Sequence, residues 1–90
     1  MNKKDLIKKV SRESGYDRKC VEAVAEGLLS SIRGSVAAGE AVYLSGFGVF
    51  ERKHRSAKTA RNIRAGIPLR IPEHDIPHFR PCGRFKEEIK

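Results

Sequence analysis

Apolar residues in the first 39 positions recur at helical spacing, and those between 41 and 71 alternate at strand spacing. In the opening segment Leu6, Ile7 and Val10 share one face and lysines fill the other. Asn2 precedes it as an N-cap, with Asp5 three positions on as a weak form of the capping box, and Gly15 is placed as the C-terminal stop. Asp17 then opens a second, longer helix. Val21, Val24, Ala25, Leu28, Leu29, Ile32 and Val36 follow the 3.6-residue period, and Gly39 ends it. Gly27 lies beside that stripe, where it lets another backbone approach. Ala41 to Leu44 and Val49-Phe50 are β-rich runs joined by Ser45-Gly46-Phe47-Gly48, a tight hairpin turn. Asn62 to Gly66 is the next turn signal. Beyond it Ile67, Leu69 and Ile71 alternate with Pro68, Arg70 and Pro72. This is a returning strand whose prolines belong on an edge. Pro77, Phe79 and Pro81 read as an extended connection. Gly83 to Lys90 reads as a short helix with Phe85 and Ile89 four apart; Cys82 is a poor N-cap, so this helix is expected to rest on packing. The predicted order is helix, helix, strand, strand, arm out, arm back, short helix, an α+β chain in one domain over residues 1–90. Its parts are a helical part (1–39), a sheet and arm (40–82) and a terminal helix (83–90).

Charge changes the picture of the middle. Of the formal net charge of +8, +7 falls between Glu51 and Glu73, where seven bases (Arg52, Lys53, Arg55, Lys58, Arg61, Arg64, Arg70) meet no acid. A like-charged arm sits badly on a compact body and calls for a polyanion, of which nucleic acid is the usual one. The arm contributes little core to a chain of only 90 residues, so a partner subunit is expected to complete the core, most simply in a homodimer. A two-stranded ribbon is stiff enough to track a groove, and arginine suits the narrow, negative minor groove. At the tip Ile63 stands among Arg61, Asn62 and Arg64. An apolar wedge between base steps accounts for it; so does an incidental exposed aliphatic.

Other chemistries find less support. The short-linked helices invite a major-groove reading, but Arg18, Lys19 and Arg33 are offset by Glu22, Glu26 and Glu40. His74, His78 and Cys82 are four apart, a metal-ligand spacing on a helix, yet Pro72, Pro77 and Pro81 oppose a helix there, so no metal or cofactor is expected. No catalytic or phosphate-cradling motif is present, and no enzyme is expected. Cys20 and Cys82 read as reduced thiols. The N-terminus leads into an amphipathic segment and no apolar run approaches the roughly 20 residues of a membrane span, which points to a soluble, cytoplasmic protein with no membrane partner.

Gly46-Phe47-Gly48-Val49-Phe50-Glu51, the basic run from Arg52 to Lys58, Arg61-Asn62, the strand Ile67 to Pro72 and Pro77-His78-Phe79-Arg80-Pro81 occur in one order. Together they resemble the bacterial HU and integration host factor family over essentially the full chain. The resemblance implies an intertwined dimer with a helical body, a three-stranded antiparallel sheet per subunit and a protruding two-stranded β-ribbon arm. The implied dimer core is Val21, Val24, Leu28, Leu29, Ile32, Val36, Leu44, Phe47, Phe50 and Phe79. The implied DNA contacts are Arg52, Lys53, Arg55, Lys58, Arg61, Asn62, Ile63, Arg64, Arg70 and Arg80, with Arg84, Lys86 and Lys3 as further candidates. In the family a proline follows Arg-Asn at the tip and inserts between base pairs; Ile63 holds that position here, apolar but without proline's fixed φ. Cys82-Gly83-Arg84 also departs from the family pattern, which passes the terminal-helix phosphate contact to Arg84 or Lys86.

The leading expectation is an architectural, nucleoid-associated protein that binds double-stranded DNA and bends or compacts it with low sequence specificity. A sequence-preferring bender of the integration host factor type, for which a heterodimer would speak, is the alternative within that class. A basic RNA-binding protein is the alternative outside it, although Phe47, Phe50 and Tyr43 fit a core near the hairpin better than an exposed stacking platform. A third reading is a module whose arm binds an acidic protein.

Overall fold

The computed structural model describes residues 1–61, 66 and 68–90, with the backbone alone at 60 and 61. The elements are α1 (Lys3–Ser14), α2 (Arg18–Ala37), β1 (Val42–Leu44), β2 (Gly48–Arg55), β3 (Lys58–Arg61), β4 (Pro68–Ile71), β5 (His74–Pro81) and α3 (Gly83–Glu87). They form two compact units, Met1–Gly34 and Ser35–Lys90.

In the first unit the polar residues at the helix ends set the boundaries. The Asn2 side chain accepts from the Asp5 N–H at 2.9 Å, and the Asp5 carboxylate receives the Asn2 N–H at 3.5 Å, a long return contact that completes the capping box. Gly15 adopts φ 79°, the left-handed conformation glycine takes without strain, and its N–H reaches Ser11 O at 2.9 Å. Asp17 sits just ahead of α2, and its carbonyl receives the Val21 N–H at 3.0 Å. Ile7 is buried. Leu6, Val10, Tyr16, Val21, Val24, Ala25, Leu28 and Leu29 join it along a continuous apolar groove between α1 and the first part of α2. Several of these remain open to solvent: Leu6 is 50% exposed, Leu28 56% and Val24 66%.

In the second unit Val36, in the last turn of α2, is buried, and Gly39 turns the chain at φ 90°. The sheet order is β1-β2-β5, antiparallel throughout. Gly46 (φ 77°) makes the turn from β1 to β2, and the Phe47 N–H closes it on Leu44 O at 3.0 Å. Gly48 is fixed for a different reason. A Cβ there would lie 2.6 Å from the Arg80 carbonyl and 2.7 Å from the Phe79 ring, so only glycine lets β5 come this close. That approach assembles an aromatic cluster: Phe50 and Phe79 have ring centroids 4.7 Å apart, Phe47 and Phe79 5.1 Å, and Phe47 stacks on Phe85 at 5.2 Å.

Three expectations are corrected. Pro77, Phe79 and Pro81 are not a connection but part of β5, paired with β2 from Gly48↔Pro81 to Arg55↔His74. The strand tolerates its prolines because it is an edge: a missing N–H costs nothing where no further strand receives it. Cys82 does cap α3, its Sγ accepting the Phe85 N–H at 3.4 Å, a weak bond that works alongside the Phe47–Phe85 stack. Tyr43, placed in the core from its sequence context, is 73% exposed in the chain.

Candidate nucleic-acid interface

The basic stretch belongs to two ladders, not one arm. Arg52 to Arg55 are the outer half of β2 and pair with His74 to Pro77 of β5; Lys58 to Arg61 form β3 and pair with Pro68 to Ile71 of β4. Two residues on each strand separate the ladders, so the pairing stays in step: Arg55 faces His74, and three residues on along both strands Lys58 faces Ile71. No bulge shifts the phase, and strand alternation then sorts the side chains onto two faces.

One face carries Lys53 and Arg55 opposite Ile76 and His74, then Thr59 opposite Arg70. Lys53, Arg55 and Arg70 make no ion pair with any described residue, and all three are exposed. Their charges are therefore open to solvent. The other face carries Arg52, His54 and Lys58 with Pro77, Asp75 and Ile71. Here the cations near the sheet are engaged. Arg52 donates to Ala37 O at 2.6 Å and lies 3.7 Å from Asp75; His54 faces Asp75 at 2.8 Å and Glu73 at 3.4 Å. Arg52, grouped with the arm's contacts from its charge, spends its guanidinium tying β2 to the end of α2. Lys58 is exposed and has no described partner.

The remaining candidates divide similarly. Arg80 donates through Nε to Glu51 at 3.2 Å, and Lys3 pairs with Glu26. Exposed pairs of this kind contribute about 0–1 kcal/mol, so a phosphate can displace either acid. Arg84 lies over the β1–β2 turn, its guanidinium 4.0 Å from where a Cβ on Gly46 would stand, and Lys86 is exposed on α3. Arg61 closes the β3–β4 ladder opposite Pro68. Asn62, Ile63 and Arg64 fall outside the described residues, and so does the expected wedge. In the core set, Val36 is buried, while Val21, Ile32, Leu44, Phe50 and Phe79 are half-buried and Val24, Leu28, Leu29 and Phe47 exposed.

Sequence reading weighed the histidines only as metal ligands. On the extended strand β5, His74 and His78 are four residues apart, about 13 Å along the chain, too far to share an ion. Among the described residues no group of histidine, cysteine and carboxylate side chains is arranged to hold a metal. What was missed is the His54–Asp75–Glu73 contact, whose partners lie some 20 residues apart and meet only through the register of β2 on β5.

Comparison with known proteins agrees with this architecture. The family model described as bacterial DNA-binding protein matches residues 1–90. The DNA-binding protein HU of Thermotoga maritima is 36% identical over 90 residues and that of Pasteurella multocida 37%, each aligned over the whole of both chains. Among solved structures, an Anabaena HU–DNA cocrystal structure superimposes with a TM-score of 0.92 at 32% identity, covering 99% of this chain and 97% of that one. HU from Thermotoga maritima gives 0.71 at 30% identity over the full length of both. With a helical pair, a β1-β2-β5 sheet, a basic two-stranded ribbon and these full-length likenesses, the chain belongs to the bacterial DNA-binding protein family that includes HU.

Proposed function

We propose that this chain is an architectural, non-enzymatic protein that grips duplex DNA between the basic ribbons of a dimer and bends it with little sequence preference. The observation that carries the reading is the set of exposed cations Lys53, Arg55 and Arg70 on the two ladders, none of which meets an acid among the described residues. Such a set suits phosphates and carries no base-reading geometry. In this reading Arg61, Asn62 and Arg64 add minor-groove contacts and Ile63 supplies an apolar wedge between base steps. Arg80, Arg84, Lys86 and Lys3 meet phosphates nearer the body, while Arg52 serves the ribbon's root.

The dimer follows from what one chain leaves uncovered. The groove of the first unit exposes Leu6, Val10, Val24, Leu28 and Leu29 together. Each such side chain gains about 1.5–3 kcal/mol when fully buried, enough to make a second copy the natural cover. No helix among the described residues is long and apolar enough to cross a membrane. The setting that suits this reading is the cytoplasm, on the nucleoid.

The test is binding to plain, nicked and kinked duplexes over a salt series, with single-stranded RNA as competitor. The reading expects log affinity to fall by about 0.9 per log salt for each phosphate engaged, nearly alike on unrelated sequences. A shallow slope, or RNA displacing duplex at equal salt, overturns it.

A further inference from the structure

His54 lies in β2 at the root of the ribbon, and both of its ring nitrogens face carboxylates: Nδ1 meets Asp75 Oδ1 at 2.8 Å and Nε2 meets Glu73 Oε2 at 3.4 Å. An ionised carboxylate only accepts hydrogen bonds, and a neutral imidazole has one N–H to give. Nδ1 can donate to Asp75 in either charge state, whereas the Nε2–Glu73 approach is an ion-pair distance that attracts only the imidazolium. Glu73 is one of the residues that part the β2–β5 ladder from the β3–β4 ladder, so this contact joins the sheet to the junction from which the ribbon continues. Asp75 also faces Arg52, whose guanidinium holds Ala37 O at 2.6 Å. The groups around His54 are therefore Asp75 and Glu73 from the returning strand and its lead-in, and Arg52 and Lys58 on its own face of the outgoing strand. Lys53, Arg55 and His74 lie on the opposite face.

We propose that His54 is a positioning residue for DNA binding, a proton-operated latch that fixes the root of the ribbon and masks Glu73 from the phosphates. The proposal rests on the reading that DNA lies along the ribbon. Histidine changes charge between pH 5 and 8, within reach of ordinary conditions. Below that change the imidazolium bridges the two carboxylates. Above it Nε2 turns a lone pair toward Glu73, that contact opens, and Glu73 stands beside the track for the backbone with no cation among the described residues, while Asp75 keeps Arg52 at 3.7 Å. Bound DNA adds further negative potential and favours the proton. Proton and duplex thus bind cooperatively, each raising the affinity for the other by the same factor.

The test measures duplex affinity by fluorescence anisotropy from pH 8 to pH 6 at fixed ionic strength, in a His74→Gln/His78→Gln background that leaves His54 as the sole imidazole. Affinity is expected to rise about fivefold as pH falls, the factor that a unit charge near a phosphate gives in water. Adding His54→Gln flattens the profile, and adding Glu73→Gln/Asp75→Asn instead brings the pH 8 affinity up to the pH 6 value. In parallel, the His54 titration followed by NMR shifts to higher pH when duplex is bound. A slope that survives His54→Gln overturns the latch. So does a slope undiminished by loss of the two acids, which would mean that a charged His54 merely attracts DNA from where it stands. Absence of duplex binding at any pH overturns the DNA reading itself.

Discussion

At the scale of single residues, the position with the least freedom is Gly48. Its φ is not in the left-handed region; what fixes it is the Arg80 carbonyl and the Phe79 ring on the neighbouring strand, both nearer than any Cβ could stand. Gly48→Ala must push β5 away from β2 or displace Phe79 from its contacts with Phe47 and Phe50. Overpacking of this kind costs about 1–3 kcal/mol, and aromatic pairs contribute about 0.5–1.5 kcal/mol each beyond their burial. Thermal unfolding should show a Tm several degrees lower, whereas Gly27→Ala, where nothing lies within 4 Å of the new methyl group in this chain, should leave the single-chain contacts untouched. The other residue that invites a substitution is Ile63. An apolar wedge acts on the bend, while the flanking cations supply the affinity. Ile63→Asp is therefore expected to reduce the bend more than the binding, read from end-to-end fluorescence transfer on a labelled duplex. Equal bends for mutant and parent would remove the wedge.

At the scale of elements, the ribbon works as a register device. Seven bases on an arm are a count; which of them can touch the same object depends on β2 and β5 pairing in step with β3 and β4. Within β3–β4 the face on which Arg70 stands is set by its pairing with Thr59. Arg70→Ala should accordingly lower affinity by a similar factor on unrelated sequences and reduce the salt slope by about one unit, measured as apparent Kd against salt. Loss on one sequence alone would signal base readout. The helices and their ends were legible in the sequence, because caps, period and terminal glycines are local signals; the Asn2–Asp5 box and Gly15 stand as expected. The β1–β2 turn was legible for the same reason. β5 was not, because Pro77 and Pro81 oppose a strand locally and only the edge position, a property of the assembled sheet, permits them. In the candidate site, the identity of the cations could be read from charge alone. Their division could not: Arg52 turned to Ala37 O, Arg80 to Glu51 and His54 to two acids are all meetings of residues distant in sequence.

At the scale of the whole molecule, the question is what covers the groove that α1 and the first part of α2 leave open. Leu28 is 56% exposed in the single chain and lies in line with Val24 and Leu29. If the chain worked alone, Leu28→Asp would be an ordinary surface substitution, worth less than about 0.5 kcal/mol in either direction. If a second copy seats on this face, the same change places a carboxylate in an apolar contact with no cation to pair it. Breaking such an environment costs several kcal/mol per subunit. The two cases are separated by mass and by concentration. Sedimentation of the parent should give twice the 10.1 kDa of one chain, with a Tm that rises with protein concentration; Leu28→Asp should sediment as a single chain or fail to fold. DNA binding then follows the assembly. Paired ribbons act at one effective concentration on one duplex, so a folded single-chain mutant that keeps all its cations should still lose affinity by far more than any one Arg→Ala change removes. A single chain that binds as tightly as the parent would place the grip in one ribbon and leave the groove without a role in it.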